Sequence, residues 1–323
     1  MVSVDLLEAL DALLWLRTGH RAAAFLQCTQ STISRKSRRC LDIFQVETQR
    51  HDAEWQLIGD QELINLERLV HQQVRWQSAR VLRLDAQHWC SHLIDLSRLG
   101  PWACGNFNYF NYERPRELLL SGVIDAWLTS APDALAVVDA HPELAAHPIT
   151  TQAVWPVVKP GHPLLAKGES IHFDDLLDYP LLPLPEGSFP VYQTELEQLG
   201  LWPTPERNRR VRLADWQAHA PLEDMVIGLG NTLRLAAAVE PGRQPLPLPL
   251  PEPVGDVLVV RAEYLHHPQL LGLLQTLLDQ AEHWAQRTPA WMEPMPELVV
   301  HRQPLCAPRD QLGLNRKATP LLQ

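Results

Sequence analysis

The sequence predicts an α/β protein in which a small helical domain precedes a larger domain of mixed strands and helices. The first sixty residues show helical periodicity, and residues 60–80 contain neither Gly nor Pro. From Val81 onward, strand-like and helical segments alternate, a pattern typical of mostly parallel sheets. The chain has 323 residues, 46% of them hydrophobic, which is enough for a sizeable core and more than one domain.

Composition and charge limit the possible partners. The net charge of −10 and the pI of about 5.8 exclude a surface that coats nucleic acid throughout, because such a surface would repel phosphate. The first residues do not resemble a secretion signal, and apolar runs fall short of the roughly 20 residues of a membrane span. Five widely spaced cysteines without a Cys-x-x-Cys pair fit reduced thiols. We therefore expect a cytoplasmic protein with no membrane partner.

Positive charge is concentrated near the N-terminus. Residues 12–41 contain no Asp or Glu but six basic side chains, so any DNA contact is expected here. Leucines at positions 6, 10, 13 and 14 lie on one face of a first helix. Thr18 is predicted to cap a second helix, and Thr29 a third helix that begins at Gln30. Three helices with a short turn before the third predict a helix-turn-helix.

The third helix has an apolar side and a basic side. Ile33, Ser37, Cys40, Leu41 and Phe44 share the apolar side. The other side carries hydroxyls near the helix start and arginines further along, which suits base edges and phosphates in a major groove. The predicted DNA-binding residues are Thr29, Gln30, Ser31, Thr32, Ser34, Arg35, Arg38 and Arg39. The alternative is that these arginines only solvate an exposed helix face.

This segment resembles the LysR family of transcriptional regulators. Its signature of paired small residues, a leucine, a short turn and Ser-Gln-x-x-Val-Ser is matched by Ala22-Ala23, Leu26 and residues 29–35. The pattern departs from the family at Arg39-Cys40, where a Leu-Glu pair is usual. The resemblance implies a winged helix-turn-helix over residues 1–59. It also implies a bilobed domain, similar to periplasmic binding proteins, that senses a small-molecule effector.

Residues 60–80 are predicted to form one amphipathic helix. Leu63, Leu66 and Val70 recur at i, i+3 and i+7. Periodicity alone leaves two interpretations open, a helix on its own domain's core or a helix that pairs with another. The resemblance implies a dimerising linker, in a homodimer or homotetramer that binds double-stranded operator DNA.

The resemblance also divides the rest of the chain into lobes. Gly122 and Asp125 fit a Gly-x-x-Asp strand, and His162-Pro163-Leu164 fits the crossover into the second lobe. We expect the return crossover near residues 264–268. The predicted parts are an effector domain over 81–287, with lobe I over 81–158 and 266–287 and lobe II over 159–265, and a C-terminal extension over 288–323 that the family's usual plan lacks.

An effector pocket is expected between the lobes. In open α/β sheets, ligands bind beyond the carboxyl ends of strands, and several small or polar residues stand at such positions. The predicted effector-binding residues are Ala86, Gln87, His88, Ser130, Ser188 and Phe189. The alternative for each is an ordinary loop residue. The effector itself cannot be identified from the sequence, and no cofactor is expected.

Three further features have competing interpretations. His88, Cys90 and His92 suggest a metal site, because helical spacing places both histidines on one face, but Cys90 points away and we predict no metal. Residues 244–253 alternate Pro with Leu, which favours an edge or surface loop over a docking ligand. Periodicity fades after residue 288, which predicts a tail or a loosely docked extension.

These observations favour a ligand-responsive repressor or activator and not an enzyme. The alternative is a cytoplasmic solute-binding module of the same bilobed fold without operator recognition. A hydrolase that uses the region around His88 and His92 is less favoured, because the sequence has no Gly-x-Ser-x-Gly, P-loop or dinucleotide fingerprint.

Overall fold

The computed structural model describes residues 3–51, 54–78, 80–105, 113–182, 184, 188–202, 225–238, 242–288 and 298–301. Within these ranges the chain folds into a winged helical head, a connecting helix and two sheets. The predicted α/β class, with a winged helix-turn-helix and a bilobed domain, is confirmed.

The head consists of three helices and a two-stranded antiparallel wing. Its elements are α1 (Val4–Leu16), α2 (Gly19–Phe25), α3 (Gln30–Phe44), β1 (Glu47–His51) and β2 (Glu54–Ile58). Both predicted caps are confirmed. The Thr18 hydroxyl accepts a 3.3 Å hydrogen bond from the amide of Arg21, and the Thr29 hydroxyl accepts one of 3.2 Å from Thr32. Helix α4 (Glu62–Gln77) then leads to the larger domain.

Lobe I is built on a five-stranded sheet with strand order β4-β3-β5-β11-β6. Its strands are β3 (Leu82–Ala86), β4 (Trp102–Cys104), β5 (Ala126–Ala131), β6 (Leu144–Pro148) and β11 (Gly255–Arg261), and its helices are α5 (Glu113–Leu120), α6 (Asp133–Ala140) and α10 (Pro268–Ala285). Strand β3 runs parallel to β4 and β5, but β11 runs antiparallel to β5 and β6. The expectation of mostly parallel sheets is therefore wrong. Strand β11 enters beside Ala131, where β5 ends, so it has to run in the opposite direction.

Lobe II contains a smaller antiparallel sheet with strand order β10-β8-β9. Its described elements are β8 (Val154–Val158), β9 (Gly228–Asn231), β10 (Gln244–Pro245), α7 (Phe173–Leu176), α8 (Tyr192–Gln198) and α9 (Thr232–Ala236). Strand β10 lies at the sheet edge. This position fits the proline-rich sequence, because an edge strand does not need every backbone N–H as a donor.

The two lobes are joined by two neighbouring chain crossings. The outward crossing contains β7 (Thr150–Thr151), and the amide of Gln152 donates to the carbonyl of Val254 on the return crossing at 2.8 Å. The return therefore occurs before Gly255, and the expected crossover near residues 264–268 is wrong. Those residues instead precede α10, where the ring of His267 caps the helix and Pro268 occupies its first turn. The outward crossing lies before β8 of the lobe II sheet, so the expected lobe boundary after residue 158 and the outward crossover at residues 162–164 are wrong as well.

Two short elements differ from their predictions. The helical spacing assumed for His88 and His92 is not that of an α-helix, because His88–Leu93 and Leu96–Arg98 form 3-10 helices. Residues 299–300 form strand β12 (Val299–Val300), which pairs with β7. This part of the C-terminal extension is therefore neither a tail nor loosely docked. The other residues after 288 lie outside the described ranges.

Candidate nucleic-acid interface and interlobe site

Helix α3 presents its basic side to solvent. Ile33, Ser37 and Cys40 are buried against the head. Of the eight predicted DNA-binding residues, Thr32 is half-buried and the other seven are exposed. The separation of the two sides follows the helical period, so the apolar side anchors the helix while the polar side stays accessible.

The exposed arginines of α3 are not paired with acids in the described part of the chain. None of the carboxylates described there forms an ion pair with Arg35, Arg38 or Arg39. The other cations of this stretch differ: Lys36 Nζ lies 3.1 Å from Asp5, and Arg17 is buried and bound to Glu54. The charge that remains available for phosphate is therefore concentrated on α3.

The wing is attached to the head and to lobe I by buried charges. Arg17 Nε donates to Glu54 Oε1 of β2 at 2.7 Å, and Trp55 Nε1 donates to the carbonyl of Arg17 at 3.0 Å. Arg114 of α5 reaches the same carboxylate, with Nε 3.8 Å from Oε2, and it also donates to the carbonyl of Leu14 at 3.3 Å. Residues 52–53, which separate β1 from β2 in the sequence, lie outside the described residues.

The head and lobe I share one hydrophobic core. Leu10 and Trp15 of α1 pack in the same cluster as Trp127 of β5 and Val259 of β11, and all four are fully buried. Burial of one large apolar side chain contributes roughly 1.5–3 kcal/mol. A cluster of this size therefore holds the head against lobe I more firmly than surface contacts would.

Helix α4 buries its polar side, which was not predicted. Arg68 Nε donates to Asp11 of α1 at 2.8 Å, and Gln72 Nε2 donates to the carbonyl of Ile124 at 2.9 Å. Arg75 forms a bidentate contact with Asp125, at 3.0 and 2.9 Å. Arg68, Gln72 and Arg75 are at most 3% exposed, so these contacts are withdrawn from water and tie the connecting helix to both the head and lobe I.

The Gly-x-x-Asp motif supplies the anchor for this helix. Gly122 adopts a positive φ of 75°, and its carbonyl accepts from Arg75 Nη2 at 2.7 Å. The Asp125 carboxylate also accepts from the backbone amide of Arg83 at 2.9 Å. The guanidinium of Arg83 is buried nearby, and burial together with the neighbouring Arg75 lowers its pKa to about 10.

The apolar side of α4 faces solvent. Leu63, Leu66, Val70 and Val74 are 70%, 55%, 53% and 39% exposed. Their spacing of three, four and four residues places them on one face of the helix. A helix that lies on its own domain's core would turn its apolar side inward, whereas α4 turns this side outward. A hydrophobic stripe along α4 is therefore accessible to solvent.

The structure brings two of the predicted effector residues, His88 and Phe189, close together where the lobes meet. Arg234 of α9 donates from Nη1 to the carbonyl of His88 at 2.9 Å, and its Nη2 lies 2.6 Å from His88 Nε2. The guanidinium carbon lies 5.5 Å from the ring centre of Trp89, which in turn lies 5.1 Å from the Phe189 ring centre. Arg234 and Trp89 were not predicted as site residues. Their role becomes evident from a contact between the lobes, and that contact joins residues far apart in the sequence.

The remaining predicted effector residues are also buried. Gln87 Oε1 accepts from the Thr129 hydroxyl at 2.7 Å, and Gln87 Nε2 is buried with no hydrogen-bond acceptor among the described residues. Ala86, Ser130 and Ser188 are 5%, 6% and 0% exposed. These side chains are thus withdrawn from solvent, and Ala86 packs in the core of lobe I. A cavity of about 190 Å³ lies elsewhere, between α8 and residues 250–252.

A second contact between the lobes involves Asp133, at the start of α6. Its Oδ1 accepts from the backbone amides of Val191 at 2.6 Å and Tyr192 at 3.4 Å, which belong to lobe II. Burial raises the pKa of Asp133 to about 6, although these amide donors oppose the rise. At the other contact, burial and then the charge of Arg234 lower the pKa of His88 to about 3, so its ring is neutral near pH 7.

The two histidines considered for a metal site point to different partners. In a 3-10 helix residues four apart do not share a face, so the helical argument for His88 and His92 fails. His88 contacts Arg234, whereas His92 Nε2 lies 3.6 Å from Asp256. The described residues contain no group of three side chains able to hold a metal ion.

Comparison with known proteins agrees with this architecture. The family model for the LysR substrate binding domain matches residues 107–285, more than half of the chain. Full-length OxyR from Pseudomonas aeruginosa is 18% identical with a TM-score of 0.53, and covers 87% of this chain and 97% of its own. A probable transcriptional regulator from the same organism is 19% identical with a TM-score of 0.51, and covers 85% of this chain and 96% of its own. No curated protein sequence matches the chain.

A helix-turn-helix head joined to a bilobed ligand-binding domain defines the class of effector-responsive, DNA-binding transcription regulators. Within that class, the chain belongs to the LysR-type family. No helix among the described residues is both long and apolar enough to cross a bilayer.

Proposed function

We propose that this chain regulates transcription by inserting α3 into the major groove of operator DNA. The observation that carries the proposal is the exposed basic side of α3 on an otherwise acidic molecule. Ser31 and Ser34 stand in the first turns, where base edges come within reach, and Arg35, Arg38 and Arg39 follow at positions suited to phosphate or guanine. Thr29, Gln30 and Thr32 complete the proposed contact surface.

The salt dependence of DNA affinity tests this proposal. Affinity for duplex DNA from just upstream of the coding region is measured at two salt concentrations, with a shuffled duplex of equal length as the control. Each phosphate contact contributes about −0.9 to the slope of log K against log salt, so a slope of several units with sequence preference is expected. A flat slope for both duplexes would favour the solute-binding alternative.

We also propose that the exposed apolar side of α4 is covered by a second copy of the chain. A two-fold pair would place two heads on a symmetric operator, and two pairs would form a tetramer. Leu66→Glu is expected to lower the mass measured by light scattering to that of the monomer. The matched control is Leu271→Glu, which charges a similarly exposed leucine on α10 of lobe I and should leave the mass unchanged.

The effector is proposed to lodge between the lobes, beside His88 and Phe189, when the interlobe contacts separate. Ala86, Gln87, Ser130 and Ser188 complete the proposed set, and all four are buried. A thermal-shift screen of small carboxylates and aromatic compounds tests this, comparing the wild type with Phe189→Ala. Val191→Ala, on the neighbouring exposed surface, is the control. Compounds that shift all three proteins equally bind elsewhere.

We propose a cytoplasmic location and a regulatory, non-enzymatic role.

A further inference from the structure

The C-terminal extension contributes a strand to the junction between the lobes. Strand β12 pairs antiparallel with β7, with Val299 opposite Thr151 and Val300 opposite Thr150. The amide of His301 donates to the carbonyl of Ile149 at 2.8 Å, and His301 Nε2 lies 2.9 Å from the Thr151 hydroxyl. The outward crossing is therefore held along this edge by an element that follows the effector domain in sequence.

The opposite edge of the same crossing is held by the return crossing. The amide of Ile149 donates to the carbonyl of Asp256 at 2.8 Å, and the Thr150 hydroxyl donates to the Asp256 carboxylate at 2.6 Å. Gln152 Nε2 donates to that carboxylate at 2.7 Å. With β12 on one side and residues 254–256 on the other, the outward crossing is the middle strand of three.

The extension is also anchored in lobe I. Leu298 and Val300 pack against the cluster that contains Leu270 and Leu277 of α10. At its other end, the crossing reaches lobe II through Gln152, whose Oε1 accepts from the amide of Leu233 in α9 at 2.9 Å. Residues 149–151 are thus fastened to the body of lobe I, which leaves fewer residues of the outward crossing free to bend.

We propose that residues 298–301 act as a brace that limits how far the two lobes rotate about their crossings. Rotation between lobes changes backbone dihedral angles in a few hinge residues, and a strand paired on both edges resists such changes more than a strand paired on one. The brace thereby sets the free-energy difference between open and closed lobes. This regulatory role rests on the proposed function, whereas the mechanical constraint does not.

Hydrogen exchange in the full-length protein tests the brace directly. His301→Pro removes the amide that donates to Ile149, and His301→Ala keeps that amide but loses the contact with Thr151. In the Pro variant, exchange of the amides of residues 149–153 is expected to speed up about tenfold or more. The Ala variant should show a smaller increase, and exchange in α3 and in the lobe II sheet should stay within about twofold in both.

Unchanged exchange at residues 149–153 in the Pro variant overturns the proposal. An increase spread equally over all segments also overturns it, because that result indicates a general loss of stability and not a local brace. If the Pro variant fails to fold, the exchange rates of residues 149–153 in the Ala variant decide, and unchanged rates there overturn the proposal. Operator affinity measured without effector is expected to be unchanged in the Ala variant, so a failure of the brace and a failure of DNA binding are distinguishable.

Discussion

The anchor of helix α4 gives a prediction whose size follows from its burial. Asp125 is fully buried and accepts from Nε and Nη2 of Arg75 and from the amide of Arg83. Asp125→Ala leaves both arginine side chains buried, and Arg83 keeps the longer contact of its Nη1 with Asp11 Oδ2, at 3.9 Å. Loss of one partner of a buried pair costs about 3–5 kcal/mol, so the unfolding equilibrium should shift by roughly a hundred- to several-thousand-fold.

Urea denaturation followed by tryptophan fluorescence measures this loss. The matched control is Asp279→Ala, whose partner Arg98 and own side chain are 49% and 42% exposed. That pair should contribute less than about 1 kcal/mol, because water already solvates both groups. A loss below about 1 kcal/mol for Asp125→Ala would refute the claim that α4 is held to lobe I through its polar side.

Two further predictions concern pH and the crossings. Burial raises the pKa of Asp85 to about 6, so the folded state binds its proton more tightly than the unfolded state, and stability should fall by about 2 kcal/mol as pH rises from 4 to 7. Asp85→Asn should remove this part of the pH dependence in urea titrations, and an unaltered profile would contradict it. At Gly255, a Cβ would lie 2.5 Å from a backbone oxygen, so Gly255→Ala should lower Tm by several degrees. Gly272→Ala, in open space on α10, should leave Tm unchanged or raise it, and equal effects would count against the close approach.

The head was predictable because its signals are local. Thr18 and Thr29 cap helices within three residues of themselves, and the two sides of α3 follow from its own periodicity. These features depend on neighbours along the chain. The exposure of the predicted DNA-binding residues agrees with the sequence, while their contact with DNA remains a prediction.

The connecting helix was harder to interpret because its orientation depends on distant partners. Periodicity identified the apolar side with Leu63 and Leu66, but it could not show that this side faces solvent. Arg75 can be buried because Asp125 lies opposite it in the folded protein, although the two residues are fifty positions apart in the sequence. Arg234 was not predicted as a site residue for the same reason, because its contact with His88 joins residues that are 146 positions apart in the sequence.

The lobe boundaries were misplaced for a related reason. The sequence between Tyr264 and Pro268 has the features of a helix start. The same features were interpreted as a chain crossing between the lobes. Strand β11 is nearly continuous in apolar residues, and such a strand fits either sheet. Only its pairing with β5 and β6 assigns it to lobe I.

The most direct test of the central claim is the operator affinity of Arg38→Ala compared with that of Arg98→Ala. Both changes remove one exposed arginine, but Arg38 lies on α3 and Arg98 on lobe I. If Arg38 contacts a base, we predict that Arg38→Ala weakens binding by about 1–3 kcal/mol per site. If Arg38 contacts a phosphate, we predict that the slope of log K against log salt falls by about one. The Tm should be unchanged in either case. Arg98→Ala should bind like the wild type. Equal affinity and equal salt dependence in both variants would contradict the assignment of α3 as the helix that binds DNA.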